Sequence, residues 1–591
     1  MVTAGRAMRR GVVTLMGAAA LAALIPSAPA GATSAEDLLQ AERQGADWPM
    51  YGRTYGSTRY SPLAQVERRN VHELRPVWTQ SLGTLDGLES TPLVAGGVMY
   101  VSSAWAHVFA YDARNGRRLW HYAPQYPQGL GNSICCGPVH RGVALREDLL
   151  YVATLDAQLV ALDRRTGAVR WRRPIGDWQQ GVVTNSAPLV VGDRVIVGIS
   201  GGEFGVRGYI KAFHADYGYE LWTTYTIPAP GEPGHETWEN EAWRTGGGPT
   251  WQTGSYDAGL GLLYWGVGNP APWVGDLRPG DNKWTNSLLA IDPGDGAIRW
   301  GFQYTPHDSW DYDGNNAIVL ADFSLDGAPV KAALQANRNG YFYAVDRVSG
   351  RFLYAEPMIE GINWAHGIDP VTGRPEVNEA MRPHFGGEEV KVIVPSMSGG
   401  ANWFPMAYNP QTQVAFIPVN HWGVGMRPFE ADEVIHEPGR SFVGAESWTY
   451  RIGDNIGHLK AFDVARRRWL WDFASPQPLH AGVLATAGGL VFTGDQLGFF
   501  MALDQGSGAV LWRYQTGSGI NASPITYSVD GEQYVAVLSG YGGNLTHFYR
   551  GPRGGALHVF RLSNLTPEEA GAGEWGPEEN PHVVQPYPES P

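Results

Sequence analysis

The stretch Ala110-Tyr-Asp-Ala-Arg-Asn-Gly-Arg-Arg-Leu-Trp120 contains a pattern that recurs along the chain: Ala, one residue, Asp, three residues, Gly, three residues, Trp. An apolar run precedes most copies, as Val98-Met-Tyr-Val101 precedes this one. Asp and Gly between two apolar segments predict a tight turn, because Asp bonds nearby backbone and Gly tolerates a positive φ. Each copy therefore predicts a strand, a turn and a second strand that ends in Trp.

Seven copies of the pattern are visible, four of them complete. A unit of about four short strands cannot bury its own face, whereas units stacked around a ring share a core and leave few exposed edges. We therefore predict an all-β, eight-bladed β-propeller with Trp residues docked between blades. A β-sandwich array, the alternative, does not explain one signature per sheet. The complete copies end at Trp120, Trp171, Trp300 and Trp512, and the degraded ones start at Ala212, Ala344 and Ala461.

The eighth blade is expected to combine the two ends of the repeat region. Pro76-Val-Trp78 precedes the first copy of the pattern, and Leu557-His-Val-Phe560 follows the last. Pairing of these two segments would close the ring. We expect residues 31–564 to form this single domain, and residues 565–591, rich in Pro and Glu, to form a disordered tail.

The composition agrees with many short strands joined by turns. The chain has 591 residues, including 77 glycines and 23 tryptophans, and only 17% are charged. Length alone would suggest about four domains, but that prior does not apply to a repeat protein. The net charge of -14 argues against a nucleic-acid partner, which would require a basic patch.

The N-terminus has the features of an export signal. Three arginines in the first ten residues precede an apolar run over 11–25, and Ala28-Pro-Ala30 follows as a small-residue cleavage site. We predict a signal peptide over residues 1–30 and a periplasmic or otherwise extracytoplasmic protein. A membrane anchor is the alternative, but the apolar run is short for a span. No later stretch is apolar enough to cross a bilayer, so stable membrane insertion is not expected.

Cys135 and Cys136 are the two cysteines of the chain, and they are adjacent. Neither lies in a Cys-x-x-Cys-His motif, so the chain has no site for covalent c-type haem. In an oxidising compartment the pair is expected to form a disulfide. A trans peptide holds the Cα atoms about 3.8 Å apart, less than in most disulfides, so such a bond would be strained. Two free buried thiols are the alternative.

The segment Thr305-Pro-His-Asp-Ser-Trp-Asp-Tyr-Asp-Gly-Asn-Asn316 has no helix or strand period and is predicted to be a loop. Three aspartates in it alternate with a tryptophan and a tyrosine. Taken alone, the segment fits an acidic surface turn. It fits equally a hard-cation site with one carboxylate left over as a general base, since carboxylate oxygens suit hard cations and aromatic walls exclude water.

Five further motifs are distributed through the repeats. They are Cys135-Cys136, Ser200-Gly-Gly-Glu-Phe-Gly-Val-Arg-Gly208, Gly268-Asn-Pro-Ala-Pro-Trp273, Arg278-Pro-Gly-Asp-Asn-Lys-Trp284 and His307-Asp-Ser-Trp-Asp-Tyr-Asp313. In this order, and with the Trp-tagged repeats, they resemble the quinoprotein alcohol dehydrogenases of the methanol and ethanol dehydrogenase type. The resemblance covers nearly the whole chain beyond the signal. It implies an eight-bladed propeller that oxidises primary alcohols to aldehydes with pyrroloquinoline quinone (PQQ) and a metal. A propeller scaffold alone would not imply this, because non-catalytic propellers share it.

The resemblance also implies a metal site and a catalytic base. Glu203 and Asn269 match the family's metal ligands, and Asp311 matches its base, which also lies at the metal. The metal would polarise the reactive quinone carbonyl while Asp311 takes the hydroxyl proton and hydride leaves the alcohol carbon. Asp313 resembles the lanthanide-dependent branch, because a further carboxylate offsets the charge of a trivalent cation. Asp313 as a turn cap, with Ca²⁺ in the site, is the alternative.

The resemblance also implies which residues would surround PQQ. Trp251 is expected to stack on one face, and the Cys135-Cys136 ring to cover the other. Arg338 is expected near the reactive carbonyl, with Asn402 beside it, because the arginine fork suits paired oxygens. The remaining contacts are expected from Glu89, Arg141, Asn185, Ser200, Gly201, Gly202 and Glu203.

Three positions depart from the family pattern. Thr184 and Asn185 stand where the methanol enzymes have a threonine, so either is a candidate for that contact. His480 and Asn544 replace tryptophans near the cofactor. We expect the last two changes to enlarge or polarise the pocket, which leaves the size of the substrate open.

The sequence thus predicts an exported enzyme for small alcohols that passes electrons to a cytochrome c or similar carrier, because the chain lacks a haem motif. A homodimer is one option for its assembly. An enzyme for sugars or larger polyols is one alternative. The other is a non-catalytic scaffold, which would not need Glu203, Asn269 and Asp311 together.

Overall fold

In the computed structural model of the chain, which describes Met1, residues 33–543 and residues 550–563, most regular structure is β-strand. The predicted signal peptide, the predicted tail and Asn544 lie outside the described residues. Helix α1 (Ala35–Leu39) is capped by Ser34, whose side chain accepts a hydrogen bond from the Asp37 backbone. Within the described part of the chain, no helix is long and apolar enough to span a membrane. The short 3-10 segments are Val71–Glu73, Ala104–Ala106, Leu130–Ser133, Trp178–Gln180, Gly202–Phe204, His235–Thr237, Glu241–Thr245, Gly275–Leu277, Glu379–Met381 and Ala431–Glu433.

The first two strands, β1 and β2, join sheets formed near the end of the chain, and β3 to β22 form five consecutive four-stranded sheets. The early strands are β1 (Tyr60–Ser61) and β2 (Leu74–Ser81). Sheet 1 contains β3 (Leu93–Ala95), β4 (Val98–Ser102), β5 (Val108–Asp112) and β6 (Arg118–Tyr122). Sheet 2 contains β7 (Ala144–Arg146), β8 (Leu149–Thr154), β9 (Gln158–Asp163) and β10 (Val169–Pro174). Sheet 3 contains β11 (Leu189–Val191), β12 (Arg194–Gly198), β13 (Tyr209–His214) and β14 (Glu220–Tyr225). Sheet 4 contains β15 (Ser255–Asp257), β16 (Leu262–Val267), β17 (Ser287–Ile291) and β18 (Ile298–Gln303). Sheet 5 contains β19 (Val319–Leu325), β20 (Ala328–Ala336), β21 (Tyr341–Asp346) and β22 (Phe352–Pro357).

The next nine strands include an insertion. They are β23 (Ala365–Ile368), β24 (Pro375–Val377), β25 (Val390–Ile393), β26 (Ala407–Asn409), β27 (Val414–Asn420), β28 (Trp422–Pro428), β29 (Ala445–Arg451), β30 (Gly457–Asp463) and β31 (Arg468–Ser475). Sheet 6 consists of β26, β27, β30 and β31, whereas β23 and β24 form one small sheet and β25, β28 and β29 another.

The last strands complete two more sheets with the early ones. They are β32 (Leu484–Thr486), β33 (Leu490–Gly494), β34 (Phe499–Asp504), β35 (Val510–Gln515), β36 (Ile525–Val529), β37 (Glu532–Ser539) and β38 (Ala556–Leu562). Sheet 7 adds β1 to β32–β35, and sheet 8 adds β2 to β36–β38. In sheet 8, β2 pairs antiparallel with β38, with Pro76 opposite Phe560 and Trp78 opposite Val559. The predicted pairing of the two chain ends is therefore present.

Tryptophans dock between neighbouring sheets, as predicted, and six of them pack on the glycine of the following repeat. A Cβ atom built on Gly167 would lie 2.7 Å from the Trp120 ring, and the Trp120 indole donates a hydrogen bond to the Arg164 carbonyl at 3.0 Å. Gly167 has a φ of 73°, and Asp163 accepts bonds from the turn backbone. Equivalent contacts join Trp78 to Gly116, Trp171 to Gly218, Trp222 to Gly296, Trp300 to Gly350 and Trp471 to Gly508.

Burial follows the position of a strand in its sheet. In sheet 2, β8 and β9 are buried along almost their whole length, whereas β10 is exposed at alternate positions. A continuous apolar run is typical of a strand covered on both faces, and alternation is typical of a strand at the outside.

Candidate active site

The predicted acidic loop is folded by one of its own aspartates. The Asp308 carboxylate accepts hydrogen bonds from the backbone N–H groups of Trp310 at 2.9 Å and Tyr312 at 3.0 Å. The two aromatic rings point into the core, where Trp310 donates to the Met381 carbonyl and Tyr312 donates to the Pro395 carbonyl, both at 2.7 Å. Asp311, with a φ of 61°, lies between them. Asp308 is therefore a structural cap that presents the next two aspartates.

Arg338 connects Asp311 to Asp313. Its guanidinium donates to Asp311 Oδ2 at 3.0 Å and forms an ion pair with Asp313 Oδ2 at 2.5 Å. Asn402 Oδ1 lies 3.5 Å from the same guanidinium. All four side chains are buried. The prediction that Arg338, Asn402 and the two aspartates share one site is consistent with this geometry.

Asn269 and Glu203 come from neighbouring loops of sheets 4 and 3. The Asn269 backbone N–H donates to Asp313 Oδ1 at 2.7 Å. A Cβ atom built on Gly202 would lie 2.7 Å from Asn269 Oδ1, and one built on Gly268 would collide with Asp313 Oδ1. Glycine at these two positions therefore permits the close approach of the Glu203 and Asn269 loops.

Burial and like charge shift the acids of this cluster in one direction. The pKa of Glu203 is raised to about 7, mainly by burial and secondly by the charge of Asp313. The residue as a whole is nevertheless partly exposed. Desolvation also raises the pKa of Asp311, against the lowering effect of Arg338. The pKa of Asp313 is raised by burial as well. A positive charge between these carboxylates would relieve the repulsion.

The second half of the site is built around Arg141. Its guanidinium forms a buried ion pair with Glu89 at 2.7 Å and lies over the Trp251 ring, 4.8 Å from its centroid. The Trp403 ring lies 5.6 Å away from the same group. Sequence reasoning missed Trp403, because one of 23 tryptophans gives no signal of its own; its only clue is that it follows Asn402.

Asn185 and Ser200 extend this half. The Arg141 backbone N–H donates to the Asn185 carbonyl at 2.9 Å, and Ser200 Oγ donates to Asn185 Oδ1 at 3.3 Å. Thr184 is buried and donates its hydroxyl to the Thr154 carbonyl at 2.6 Å. Of the two candidates for this contact, Asn185 is therefore the one that reaches the cluster. Gly201 and Gly202 are buried beside it.

Cys135 and Cys136 lie at the same site, with their Sγ atoms 2.7 Å apart and not joined in a disulfide. The contact with Cys136, burial and the charges of Glu203 and Asp311 all raise the pKa of the Cys135 thiol. The cysteine pair thus faces the acidic half of the cluster. Its closure into a disulfide stays a prediction.

The unpaired polar atoms of the cluster match two kinds of ligand. Asn269 Oδ1 and Asp311 Oδ1 are buried and have no hydrogen-bond partner in the described part of the chain, which suits a hard cation. Arg141 Nε, Arg141 Nη1 and Arg338 Nε are buried donors without partners, which suits anionic or carbonyl oxygens. Among the described residues, no three His, Cys, Asp or Glu side chains already converge on one point for an ion. One reason is that Arg338 pairs with two of the acids and that Asn269 contributes an amide.

His480, like Arg141, lies next to Trp403. Its ring is 4.9 Å from the Phe404 ring, 5.8 Å from Trp422 and 6.2 Å from Trp403, and both of its ring nitrogens are buried without a partner. Burial lowers the pKa of His480 to about 3, so the imidazole is neutral. It therefore polarises an otherwise aromatic wall without adding charge.

The fold and the site together define a β-propeller with a cluster of carboxylates beside two buried arginines. A profile described as "PQQ: Glucose/ethanol/alcohol dehydrogenase, beta-propeller domain" matches residues 48–357 and 443–535. The quinoprotein alcohol dehydrogenase PedH of Pseudomonas putida is 40% identical over 546 residues, covering 88% of this chain and 91% of that protein. The lanthanide-dependent methanol dehydrogenase of Methylacidiphilum fumariolicum is 37% identical over 536 residues, covering 86% and 87%. A solved europium-containing methanol dehydrogenase superposes with a TM-score of 0.85 at 35% identity, covering 89% of this chain and all of that one.

The chain therefore belongs to the PQQ-dependent β-propeller family of quinoprotein alcohol dehydrogenases. It is an alcohol dehydrogenase with a propeller fold, as the resemblance implied.

Proposed function

We propose that this protein oxidises primary alcohols to aldehydes with PQQ and a lanthanide ion, and that it works outside the cytoplasm. The observation that carries the proposal is the set of unpaired buried atoms around Asp311. Two acceptor oxygens and three arginine nitrogens have no partner among the described residues, and an unpaired buried polar group is costly. A bound quinone and cation would satisfy both kinds.

The residues available for PQQ are those of the arginine cradle. Arg141, held by Glu89, would bind a carboxylate of the quinone, and Arg338 would lie at its reactive oxygens. Trp251 offers an aromatic face, and the cysteine pair lies opposite the acids. Asn185, Ser200, Gly201, Gly202 and Asn402 would complete the rim. When bound, PQQ would supply the two-electron acceptor that no side chain provides.

Asp311 is the proposed base. Its Oδ2 atom is held by Arg338, whereas Oδ1 has no partner and is free to accept the hydroxyl proton of an alcohol. Burial raises the pKa of Asp311, which strengthens it as a proton acceptor in its ionised form. This Oδ1 atom is also buried, so it is shielded from bulk water.

Glu203, Asn269, Asp311 and Asp313 are the proposed cation ligands. The charges of Glu203, Asp311 and Asp313 disfavour one another, and a trivalent ion would offset more of that repulsion than Ca²⁺ would. Asp313 also accepts from the Asn269 backbone, so its role as a local cap is compatible with this proposal. Ca²⁺ remains the alternative ion.

The remaining proposals concern the setting of the enzyme. The eight larger sheets would be eight blades, the N-terminal segment would direct export, and the electrons would pass to a cytochrome c or similar carrier. The chain carries no Cys-x-x-Cys-His motif, so the carrier would be a separate protein. Assembly as a homodimer is a further option that light scattering would decide.

The test is alcohol-dependent dye reduction by the purified apoprotein after addition of PQQ with either La³⁺ or Ca²⁺. We expect turnover of short primary alcohols with La³⁺ and little with Ca²⁺. Activity with Ca²⁺ alone would keep the alcohol dehydrogenase and overturn the lanthanide. Activity only with sugars or larger polyols would overturn the substrate class, and failure to bind PQQ would overturn the proposal as a whole.

A further inference from the structure

Residues 436–444 form a surface segment between β28 and β29, two inserted strands that interrupt sheet 6, and this segment contacts two loops of the site. This segment connects the short turn after β28 to the start of β29 at Ala445. Four of its nine residues are exposed, whereas Phe442 is buried, with 7% of its surface accessible. We call residues 436–444 the strap. The strap contacts two loops, and each of these loops carries a different candidate cation ligand.

The first contact is with the turn that carries Glu203. The Phe442 backbone N–H donates to the Glu203 carbonyl at 2.6 Å, and His436 Nε2 lies 3.2 Å from the Phe204 carbonyl. The rings of His436 and Phe442 meet edge to face at 5.3 Å over Gly205. A Cβ atom on Gly205 would lie 2.6 Å from the His436 ring and 3.1 Å from the Phe442 ring. The strap therefore satisfies two consecutive carbonyls of this turn and covers it.

The second contact is with the loop that carries Asn269. The Trp273 backbone N–H donates to the Val443 carbonyl at 2.8 Å. A Cβ atom on Gly444 would lie 3.4 Å from Pro272 and 3.1 Å from Phe385. Two adjacent strap residues, Phe442 and Val443, thus bond to two loops that are far apart in the sequence.

The consequence is a fixed spacing between the two loops. Hard cations bind oxygen ligands at about 2.3–2.6 Å, and a site has to be held within about 0.5 Å to remain effective. Glu203 and Asn269 themselves share no hydrogen bond among those the structure gives. Their relative position depends on what bridges their loops, and the strap is such a bridge on the outer side.

We propose that the strap positions Glu203 and Asn269 for cation binding, with Phe442 as its anchor. Phe442 is a positioning residue, since it acts through the backbone of Glu203 and not on substrate. This inference rests on the proposed function, because it assumes that a cation binds at these residues. It adds a part of the insertion, outside the repeat pattern, to the machinery of the site.

The test is titration of the apoprotein with Tb³⁺ in the presence of PQQ, followed by the luminescence that nearby tryptophans sensitise. Phe442→Ala removes the anchor, and we expect it to weaken Tb³⁺ binding about tenfold, whereas Phe442→Leu, which keeps an apolar anchor, should bind within about threefold of the wild type. Ile435→Ala is the matched control, because Ile435 adjoins the strap but is 68% exposed. It should bind Tb³⁺ like the wild type.

Hydrogen exchange supplies a readout that needs neither metal nor activity. In Phe442→Ala, amide exchange should become faster both around Glu203 and around Trp273, although the variant changes neither loop. Pro438→Gly, which loosens the exposed turn of the strap, should produce a smaller change in the same two regions. It also keeps the test available if Phe442→Ala does not fold.

The outcomes separate the two proposals. If the wild type binds no Tb³⁺ with PQQ present, the proposed function fails and the strap inference fails with it. If the wild type binds Tb³⁺ and Phe442→Ala binds equally well with unchanged exchange, the strap inference alone is overturned. Equal losses in Phe442→Ala and Ile435→Ala would also overturn it, because the effect would not then come from the anchor.

Discussion

Asp311 has two carboxylate oxygens with different surroundings, and this difference makes a prediction about its replacement. Arg338 holds Oδ2, and Oδ1 is unpaired. Asp311→Asn keeps the shape and the arginine contact but cannot take a proton. We expect kcat to fall by about 10²- to 10⁴-fold, the usual contribution of a general base. Steady-state dye reduction measures this, and the absorbance of bound PQQ shows that the site is still loaded. Near-normal kcat with bound PQQ would contradict the assignment.

Asp313 makes a second prediction at the scale of one residue. Its charge belongs to the carboxylate cluster, while Oδ1 accepts from the Asn269 backbone. Asp313→Asn keeps an acceptor for that N–H and removes the charge, whereas Asp313→Ala removes both. Both variants should lose lanthanide-supported activity to a greater extent than calcium-supported activity, because a trivalent ion depends more on the extra carboxylate. Equal losses of activity with the two ions would show that Asp313 acts only as a structural cap.

The docking of tryptophan on glycine is the element that repeats through the fold, and it can be tested against a matched glycine. Gly167 has a φ of 73° and touches Trp120, whereas Gly192 has a φ of 60° and nothing within 4 Å of a built Cβ atom. Both Gly→Ala variants lose about 1–2 kcal/mol from the left-handed backbone. Gly167→Ala should lose about 1–3 kcal/mol more, because the indole must move. Thermal melts compare the two, and equal melting temperatures would show that docking contributes nothing.

The same element shows what a sequence pattern can and cannot predict. Asp, Gly and Trp at fixed spacing act locally, so the hairpins and their docking could be predicted from the pattern. The insertion has no such repeat, and its strap was not predicted, because the bond from Phe442 to Glu203 joins residues that are far apart in sequence. Trp403 was missed for a related reason: its position over Arg141 depends on the packing of several loops.

At the scale of the whole molecule, the two ends of the described chain hold the last sheet together. Strand β2 supplies one edge of sheet 8 and pairs with β38 along its length. Pairings across such a sequence distance form late and slowly, because the loop must close before the contacts form. The segments could be predicted to pair only because a closed ring leaves them no other partner. Glu203, Asn269 and Arg338 lie on loops within sheets 3, 4 and 5, so they depend on this closure indirectly.

Buried neutral histidines give the whole fold a dependence on pH. Burial lowers the pKa of four of them to between about 3 and about 4, from an ordinary value of 6.5: His140, His307, His480 and His558. Below pH 6.5 the unfolded chain therefore binds protons that the folded chain does not. The free energy of unfolding should fall as the pH drops from 6.5 toward 4, by about 1.4 kcal/mol per pH unit for each such histidine.

His480 allows this prediction to be tested with one substitution. Buried acids act in the opposite direction, since the pKa of Asp495 is raised to about 6 by burial, so the slope of the whole protein is a sum of several terms. His480→Phe removes the contribution of His480 to the pH dependence of stability. It places another aromatic ring among Trp403, Phe404 and Trp422. The variant should lose less stability than the wild type between pH 7 and pH 4.5, whatever its stability at pH 7. Urea denaturation at the two pH values measures the difference. Parallel losses in both proteins would mean that His480 accepts its proton in the folded state, and that the aromatic rings around it do not keep it neutral.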